Sequence, residues 1–258
     1  KMQDFTFKMA RNKPEKVNKA RHKAIEKALG PDYDKDAFTP PYDPWDQRLC
    51  LVPDDDLFEA MKAGKASVVT DHIAAFEKGG VRLKSGDFLE ADIVITATGL
   101  KLAVAGKIAI STNGEPVEFS ERFYYKGCMY SNLPNLAVVF GYINASWTLR
   151  ADINSDYICR VLNHMRATGT DVANPVLTPQ MEAKLEVEDI FEGFSSGYLA
   201  RGKDINPKNS TAYPWRLNQE YVTDRKLMAN DPVNDGILTF TRSGANAQNA
   251  DEQLEAAE

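Results

Sequence analysis

The spacing of apolar and polar residues divides the chain into a helical opening, a strand-rich middle and a weakly patterned end. Behind Pro14, the residues Val17, Ala20, Ala24, Ile25 and Leu29 recur at helical spacing until Gly30-Pro31 stops the run, which predicts a first helix. Residues 31–47 mix Pro40, Pro41 and Pro44 with Asp and aromatics; fixed φ angles and missing donors predict an ordered but irregular loop. Residues 48–52 and 66–70 read as short strands. Between them, Asp54-Asp55-Asp56 offers an N-cap and first-turn acids for a helix from Leu57 to Lys62, ended by Gly64. A β-meander follows: strands at 74–77 and 81–84 flank Lys78-Gly79-Gly80, Ser85-Gly86-Asp87 turns the chain, and residues 91–96 close the unit.

That last strand is the sharpest signal in the chain. Ile93, Val94 and Ile95 form an unbroken β-branched run, the pattern of a strand covered on both faces. Thr96, Ala97, Thr98 and Gly99 end it with small residues that let a backbone or a cofactor come close. Residues 136–140 are a second buried-strand candidate, closed by Gly141. A long helix is predicted from about residue 145 to 165, capped by Asn144 or Ser146 and stopped by Gly169. Leu149, Ile153, Tyr157, Val161 and Leu162 lie on one stripe of it. Turn signals stand at Asn113-Gly114 and Leu133-Pro134. Past residue 175 the pattern weakens. Phe191, Phe194, Tyr198, Tyr213 and Trp215 are scattered among Gly, Ser and Pro, and a helix is expected near residues 218–228. Residues 245–258 hold little apolar content and read as disordered or as a loosely held helix.

Composition narrows the class without choosing a function. With 258 residues, 43% hydrophobic and 26% charged, the chain can bury a sizeable core. A net charge of -6 argues against a general nucleic-acid binder. Apolar stretches at 91–98 and 136–143 fall far short of the ~20 residues of a membrane helix. Cys50, Cys128 and Cys159 are scattered and without Cys-x-x-Cys spacing, which fits a cytoplasmic protein and excludes a zinc ribbon; peripheral membrane association stays open. His22, His72 and His164 are isolated and read as structural, and no metal site is expected. The basic residues before Ala28 read first as a solvated helix face and second as an anion site. The opening Lys1-Met2-Gln3 has the look of the middle of a larger protein.

Three strings together resemble a known family. They are Tyr42-Asp-Pro-Trp-Asp-Gln-Arg-Leu-Cys-Leu-Val-Pro-Asp54, then Asp92-Ile-Val-Ile-Thr-Ala-Thr-Gly-Leu100, then the run from Leu133-Pro-Asn through Asn144-Ala-Ser-Trp-Thr148 to Asp152. In this order they resemble the C-terminal half of a class B flavoprotein monooxygenase, of the Baeyer–Villiger kind and nearest the ethionamide-monooxygenase type. The likeness extends to about Tyr221. It implies an α/β fold with two dinucleotide-binding domains, in which residues 1–72 end an NADP-binding domain, 73–170 belong to the FAD-binding domain and 171–258 wrap the outside. It also implies FAD and NADPH as cofactors, O2 as co-substrate, and oxygen insertion into a ketone, or oxidation of a thioether, thioamide or nitrogen centre, through a flavin peroxide.

By this resemblance Arg48 is the active-site arginine, a permanently charged group suited to an anionic oxygen species; the other reading is a surface ion pair with Asp46 or Asp54. Thr98 and Gly99 border the FAD, and Asn144, Ala145, Ser146, Trp147 and Thr148 lie close to the flavin ring, where a helix start favours negative charge; an ordinary turn and a capped helix are the plainer readings. Gln47 stands where many members have a lysine that reads the NADP 2′-phosphate. The 16 glycines never occur in Gly-x-Gly-x-x-Gly order, so neither phosphate cradle of the family is present. The expectation is half a cofactor site, incomplete and inactive alone, whose other half lies outside this chain, with the missing N-terminal half or a homo-oligomer as partner. A non-catalytic binding module derived from such an enzyme is the alternative. A pyridine-nucleotide disulfide reductase relative is a third, and the lack of a paired cysteine motif argues against it.

Overall fold

The structure, a computed structural model, describes residues 2–47, 53–191 and 193–243. Helices and strands are mixed, and the chain divides into two compact units: Lys1–Lys101 with Phe194–Tyr198, and Leu102–Gly193 with Leu199–Glu258. Among the described residues no helix is long and apolar enough to cross a membrane.

The first unit opens with α1 (Met2–Asn12) and α2 (Pro14–Leu29). Pro14 takes the first turn of α2 and Gly30, at φ 97°, follows its end, as the periodicity predicts. The Pro-rich loop folds back on these helices: Trp45 meets Phe7 edge-on at 5.4 Å, Arg11 pairs with Asp46 at 2.8 Å, and His22 Nδ1 lies 2.8 Å from the Tyr33 hydroxyl. Helix α3 (Asp56–Lys62) forms as expected, but its N-cap Asp55 adopts a left-handed conformation and makes no side-chain cap bond. Residues 66–70, expected as a strand, pair with nothing in a ladder.

Strands β1 (Ile73–Glu77), β2 (Gly80–Leu83) and β3 (Phe88–Glu90) form an antiparallel meander in the order β1-β2-β3, with Val81 and Leu83 buried. The closing strand is therefore 88–90 and not 91–96. Residues 91–100 form no strand, and Ile93, Val94 and Ile95 are 81%, 46% and 86% exposed. The reason is physical: a strand exists by its ladder, and no described strand lies beside this segment to pair with it.

In the second unit, hairpin β4–β5 (Ser111–Thr112, Glu115–Pro116) turns on Asn113 and Gly114, both at positive φ. Hairpin β6–β7 (Tyr124–Tyr125, Met129–Tyr130) turns through Lys126 and Gly127, also both at positive φ, and is entirely buried. Helix α4 (Trp147–Thr168) ends at the left-handed Gly169. Strand β8 (Val172–Pro175) and the last strand β11 (Leu238–Thr241) pair antiparallel. On the other side of β8, Asn132 and Asn135 bond the backbone of Leu177, Ala173 and Asp171 through their side-chain amides. Helix α5 (Pro179–Glu182) precedes β9 (Val187–Glu188), which pairs with β10 (Asn209–Ser210). The short α6 (Gly197–Arg201) spans the point where the chain passes between units. Helix α7 (Tyr221–Asn230), capped by the Glu220 carboxylate, packs along α4.

The main core gathers Tyr125, Met129, Ile153, Tyr157, Val161, Trp215, Met228 and Leu238. Leu162 of the predicted stripe is instead exposed, and Arg150 and Asn154 take buried places on α4. Residues 136–140 are extended but half-buried. Leu136, Val138 and Phe140 pack inward while Val139 faces out, and the Val138 N–H bonds the Cys128 carbonyl without a strand ladder. At Gly127 (φ 65°) an added Cβ would lie 2.8 Å from a guanidinium nitrogen of Arg150 and 2.9 Å from a Leu217 methyl. Gly127→Ala is expected to lower stability by about 1–3 kcal/mol, read from thermal melts, because it combines a disfavoured φ with overpacking.

Candidate functional site

The sequence-derived site residues fall into three places. Arg48 lies outside the described residues, as does the strand expected at 48–52 and the segment 245–258. Thr98 and Gly99 belong to the first unit, at the end of the exposed 91–100 segment; Gly99 has φ 97° and open space where a Cβ would stand. Asn144, Ala145, Ser146, Trp147 and Thr148 come together in the second unit as one turn at the start of α4.

That turn is built from both ends. Gly141 permits Trp147 to fold directly over the backbone, since a Cβ there would fall 2.3 Å from the indole ring. Phe140 packs on the same indole at 5.4 Å. From the other side the Ile143 N–H donates to Gln219 Oε1 at 2.9 Å, and Asn144 Nδ2 donates to the Gln219 carbonyl at 3.1 Å. Ser146 is the N-cap residue but makes no side-chain bond to the helix N–H groups; its hydroxyl pairs with Thr148 Oγ1 at 2.8 Å. The result is an exposed polar turn beside a half-exposed indole, at the positive end of a 22-residue helix. Gly141→Ala is expected to push the indole off this turn. The Trp147 emission would shift to the red in a Trp45→Phe/Trp215→Phe background.

Beneath the turn lies a buried ionic cluster absent from the sequence reading. Arg150, 1% exposed, bonds Asp224 Oδ2 at 2.6 Å, donates to the Asn218 carbonyl, and lies over the Tyr142 ring at 4.5 Å. The Tyr142 hydroxyl donates to the same Asp224 oxygen at 2.6 Å. Burial pushes the Asp224 carboxyl above its ordinary range, against the opposing pull of Arg150, Tyr142 and Asn218. Through Asn218 and its neighbour Gln219, this cluster is tied to the turn at 143–144.

A second cluster surrounds Lys126. Its ammonium reaches Asp235 at 2.9 Å and Asp231 at 3.3 Å, and lies near the rings of Tyr125, Tyr157 and Tyr213. Tyr125 donates to Asp235 at 2.6 Å. The nearby Cys128 thiol is pushed up to about 12 by burial, despite Arg150 and Lys126, so it is not a ready nucleophile. Among the described residues no group of His, Cys, Asp and Glu could hold a metal ion. Arg150 stands three residues before Ile153 and seven before Tyr157, on the inward face of α4, but nothing near it in sequence marks its partner Asp224. Of the aromatics near 191–215, Phe191 and Trp215 are buried packing residues, while Tyr213 is partly exposed and bonds Asp231.

Comparison with known proteins gives a consistent set of relatives. A probable FAD-binding monooxygenase AlmA of an Acinetobacter species is 44% identical over 253 residues, covering 98% of this chain and 50% of that protein. A putative FAD-containing monooxygenase MymA of Mycobacterium tuberculosis is 44% identical over 216 residues, covering 84% and 43%. The FAD-containing monooxygenase EthA of Mycolicibacterium smegmatis is 42% identical over 240 residues, covering 93% and 48%. No protein-family model and no solved structure matches the chain. The chain spans about half the length of the curated relatives it matches. Over nearly its whole length the chain is thus similar, at 42–44% identity, to about half of each of several proteins named FAD-binding or FAD-containing monooxygenases.

Proposed function

We propose that the chain is part of an FAD- and NADPH-dependent monooxygenase of the two-dinucleotide-domain fold. Such an enzyme transfers one oxygen atom of O2 to a ketone, thioether, thioamide or nitrogen centre, and the other leaves as water. The observation that carries this reading is the start of α4, where helix N–H groups without a side-chain cap stand beside a half-exposed indole. A flavin presents an aromatic face and ring carbonyl oxygens, and these residues fit that end of FAD. They do not fit its pyrophosphate, which needs the close backbone approach of a glycine-rich loop.

FAD, when bound, supplies the redox chemistry and the activation of O2. The chain's own residues have simpler tasks. Ser146 and Thr148 would hold the polar edge of the ring, Trp147 would exclude water from it, and Asn144, held by Gln219, would keep the turn fixed. Thr98 and Gly99 would border the cofactor. Arg48 would hold negative charge at the reacting oxygen, because a guanidinium stays protonated and offers several fixed donors. With Gln47 in place of a lysine, the NADPH 2′-phosphate would need another contact. The half of such an enzyme that this chain does not match would supply the phosphate cradles.

The chain alone, incubated with FAD and NADPH, is expected to retain no flavin after gel filtration and to consume no NADPH above a blank of FAD without protein. Co-expressed with the half of the Acinetobacter relative that it does not match, it is expected to purify yellow and to oxidise NADPH in an oxygen-dependent way. A complex that forms yet retains no flavin would sink the proposal and favour the second reading, a binding module without turnover.

A further inference from the structure

The Lys126 cluster takes no part in the proposed oxygen chemistry, yet its geometry is that of an acyl-transfer site. The Lys126 side chain is 1% exposed. Its ammonium faces Asp235 Oδ2 at 2.9 Å, Asp231 Oδ2 at 3.3 Å and the Pro232 carbonyl at 3.4 Å. The rings of Tyr125, Tyr157 and Tyr213 close round the same nitrogen at 5.2, 5.0 and 5.9 Å. The two oxygens of Asp235 are held differently. Oδ1 accepts the Ile237 N–H at 3.0 Å and the Leu238 N–H at 2.9 Å. Oδ2 accepts Lys126 and, at 2.6 Å, the Tyr125 hydroxyl. One oxygen thus sits in a pair of fixed backbone donors, the other beside proton donors and an amine.

From this we infer that the Lys126 and Asp235 side chains condense into an amide, joining the β6–β7 turn to the segment after α7. The reaction needs no external reagent. Nζ passes one proton to Oδ2 across the 2.9 Å contact, and the neutral amine then attacks Cγ. Negative charge developing on Oδ1 meets the two N–H groups already bonded to it. Asp231 takes a second proton from Nζ and returns it to Oδ2, which leaves as water, so Asp231 ends as it began. An N–C bond forms, the Cγ–Oδ2 bond breaks, and nothing is oxidised or reduced. Asp231 is not the acceptor. It lies farther from Nζ, and among the described residues no pair of backbone N–H groups holds it. In the resting cluster the ion pair is the starting form, because hydrogen bonds keep Asp235 ionised. Two effects drive it onward. The reactants are held in contact, which raises their effective concentration by orders of magnitude. Hydrolysis would also have to restore a charged pair around a side chain that water scarcely reaches.

The test is the intact mass of the 258-residue chain, kept folded at pH 7 until its mass stops changing and then denatured. Most of the chain is expected to be lighter than its sequence by one water. A tryptic digest is expected to yield a branched peptide linking Lys126 to Asp235. Asp231→Asn, which keeps the shape of the side chain, is expected to slow the condensation at least about hundredfold. Asp235→Ala and Lys126→Arg are expected to abolish it. Asp235-Gly236 can also lose water by closing on its own backbone, but that succinimide survives Lys126→Arg and gives no branched peptide. Four results would overturn the inference: a folded wild-type chain of full mass, a water loss that persists in Lys126→Arg, an undiminished rate in Asp231→Asn, or a branched peptide that forms as fast in urea. The wild-type mass decides even where a variant fails to fold. Uncondensed chain, told apart by its mass, keeps the ion cluster and its response to pH.

Discussion

Arg150→Met is expected to cost the second unit about 3–5 kcal/mol, the loss seen when one member of a buried ion pair is removed and the other is left uncompensated. The guanidinium is 1% exposed and its partner Asp224 4% exposed, so water cannot replace the missing charge. Asp224 would keep the Tyr142 hydroxyl at 2.6 Å and the Asn218 side chain as donors but no cation, and the Asn218 carbonyl would lose the Arg150 donor. Urea unfolding at pH 7 reads the loss. The double variant Arg150→Met/Asp224→Leu is expected to regain most of it, because an apolar pair of similar volume carries no desolvation penalty.

The pH dependence carries a definite sign. The folded-state pKa of Asp224 is raised, so its favourable contribution is complete below the unfolded value near 3.9 and is lost as pH rises through the folded value. Arg150→Met raises that pKa further, so the variant recovers part of its stability on mild acidification. A deficit that stays constant between pH 7 and pH 5 would show that the charge pair is not its source.

Lys126→Met is expected to produce a loss of the same order, about 3–5 kcal/mol at pH 7, since it strips a buried cation from two carboxylates at once. The side chain of Lys126 is 1% exposed, against 20% for Asp231 and 15% for Asp235. Burial alone would raise the Asp235 carboxyl. Hydrogen bonds from Tyr125, the Leu238 N–H, Lys126 and the Ile237 N–H outweigh it and hold the group below its ordinary range. A depressed carboxylate contributes stability above its unfolded pKa and loses it as pH falls through the folded one. The gap between wild type and Lys126→Met therefore narrows below about pH 4, as protonated carboxyls no longer need the ammonium. Paired urea titrations at pH 7 and pH 3 measure this. The two variants respond to acid for different reasons, which separates the clusters even though both line the same unit.

The parts of the fold that were legible in the sequence are those fixed by neighbours along the chain. Pro14 and Gly30 bracket α2, Gly169 ends α4, and Asn113-Gly114 makes the β4–β5 hairpin, each through backbone preferences that need no distant contact. The strand at 91–96 was misread because apolar character is local while a ladder is not: Ile93 and Ile95 carry a strand's composition without a strand's partners. Residues 136–140 failed in a similar way, with one parity buried and the backbone bonded only at single points such as Val138. Of the candidate site, the cluster at 144–148 is contiguous in sequence and so was legible as a unit. The supports beneath it were not. Arg150 meets Asp224 and Lys126 meets Asp235 only because α7 and the segment after it return to α4 and the β6–β7 turn. Periodicity reads a charged residue as outward-facing unless its partner is known.

Asn132 and Asn135 close one sheet edge of the second unit. Their amides occupy the edge of β8 that β11 leaves free, donating to carbonyls and accepting from N–H groups as a neighbouring strand would. The outer edge of β8 is thereby closed to strand addition. Strand addition to the isolated chain should accordingly avoid β8, and a charge placed at the exposed Ile93 or Ile95 would blunt the 92–99 segment without touching the β8–β11 pair.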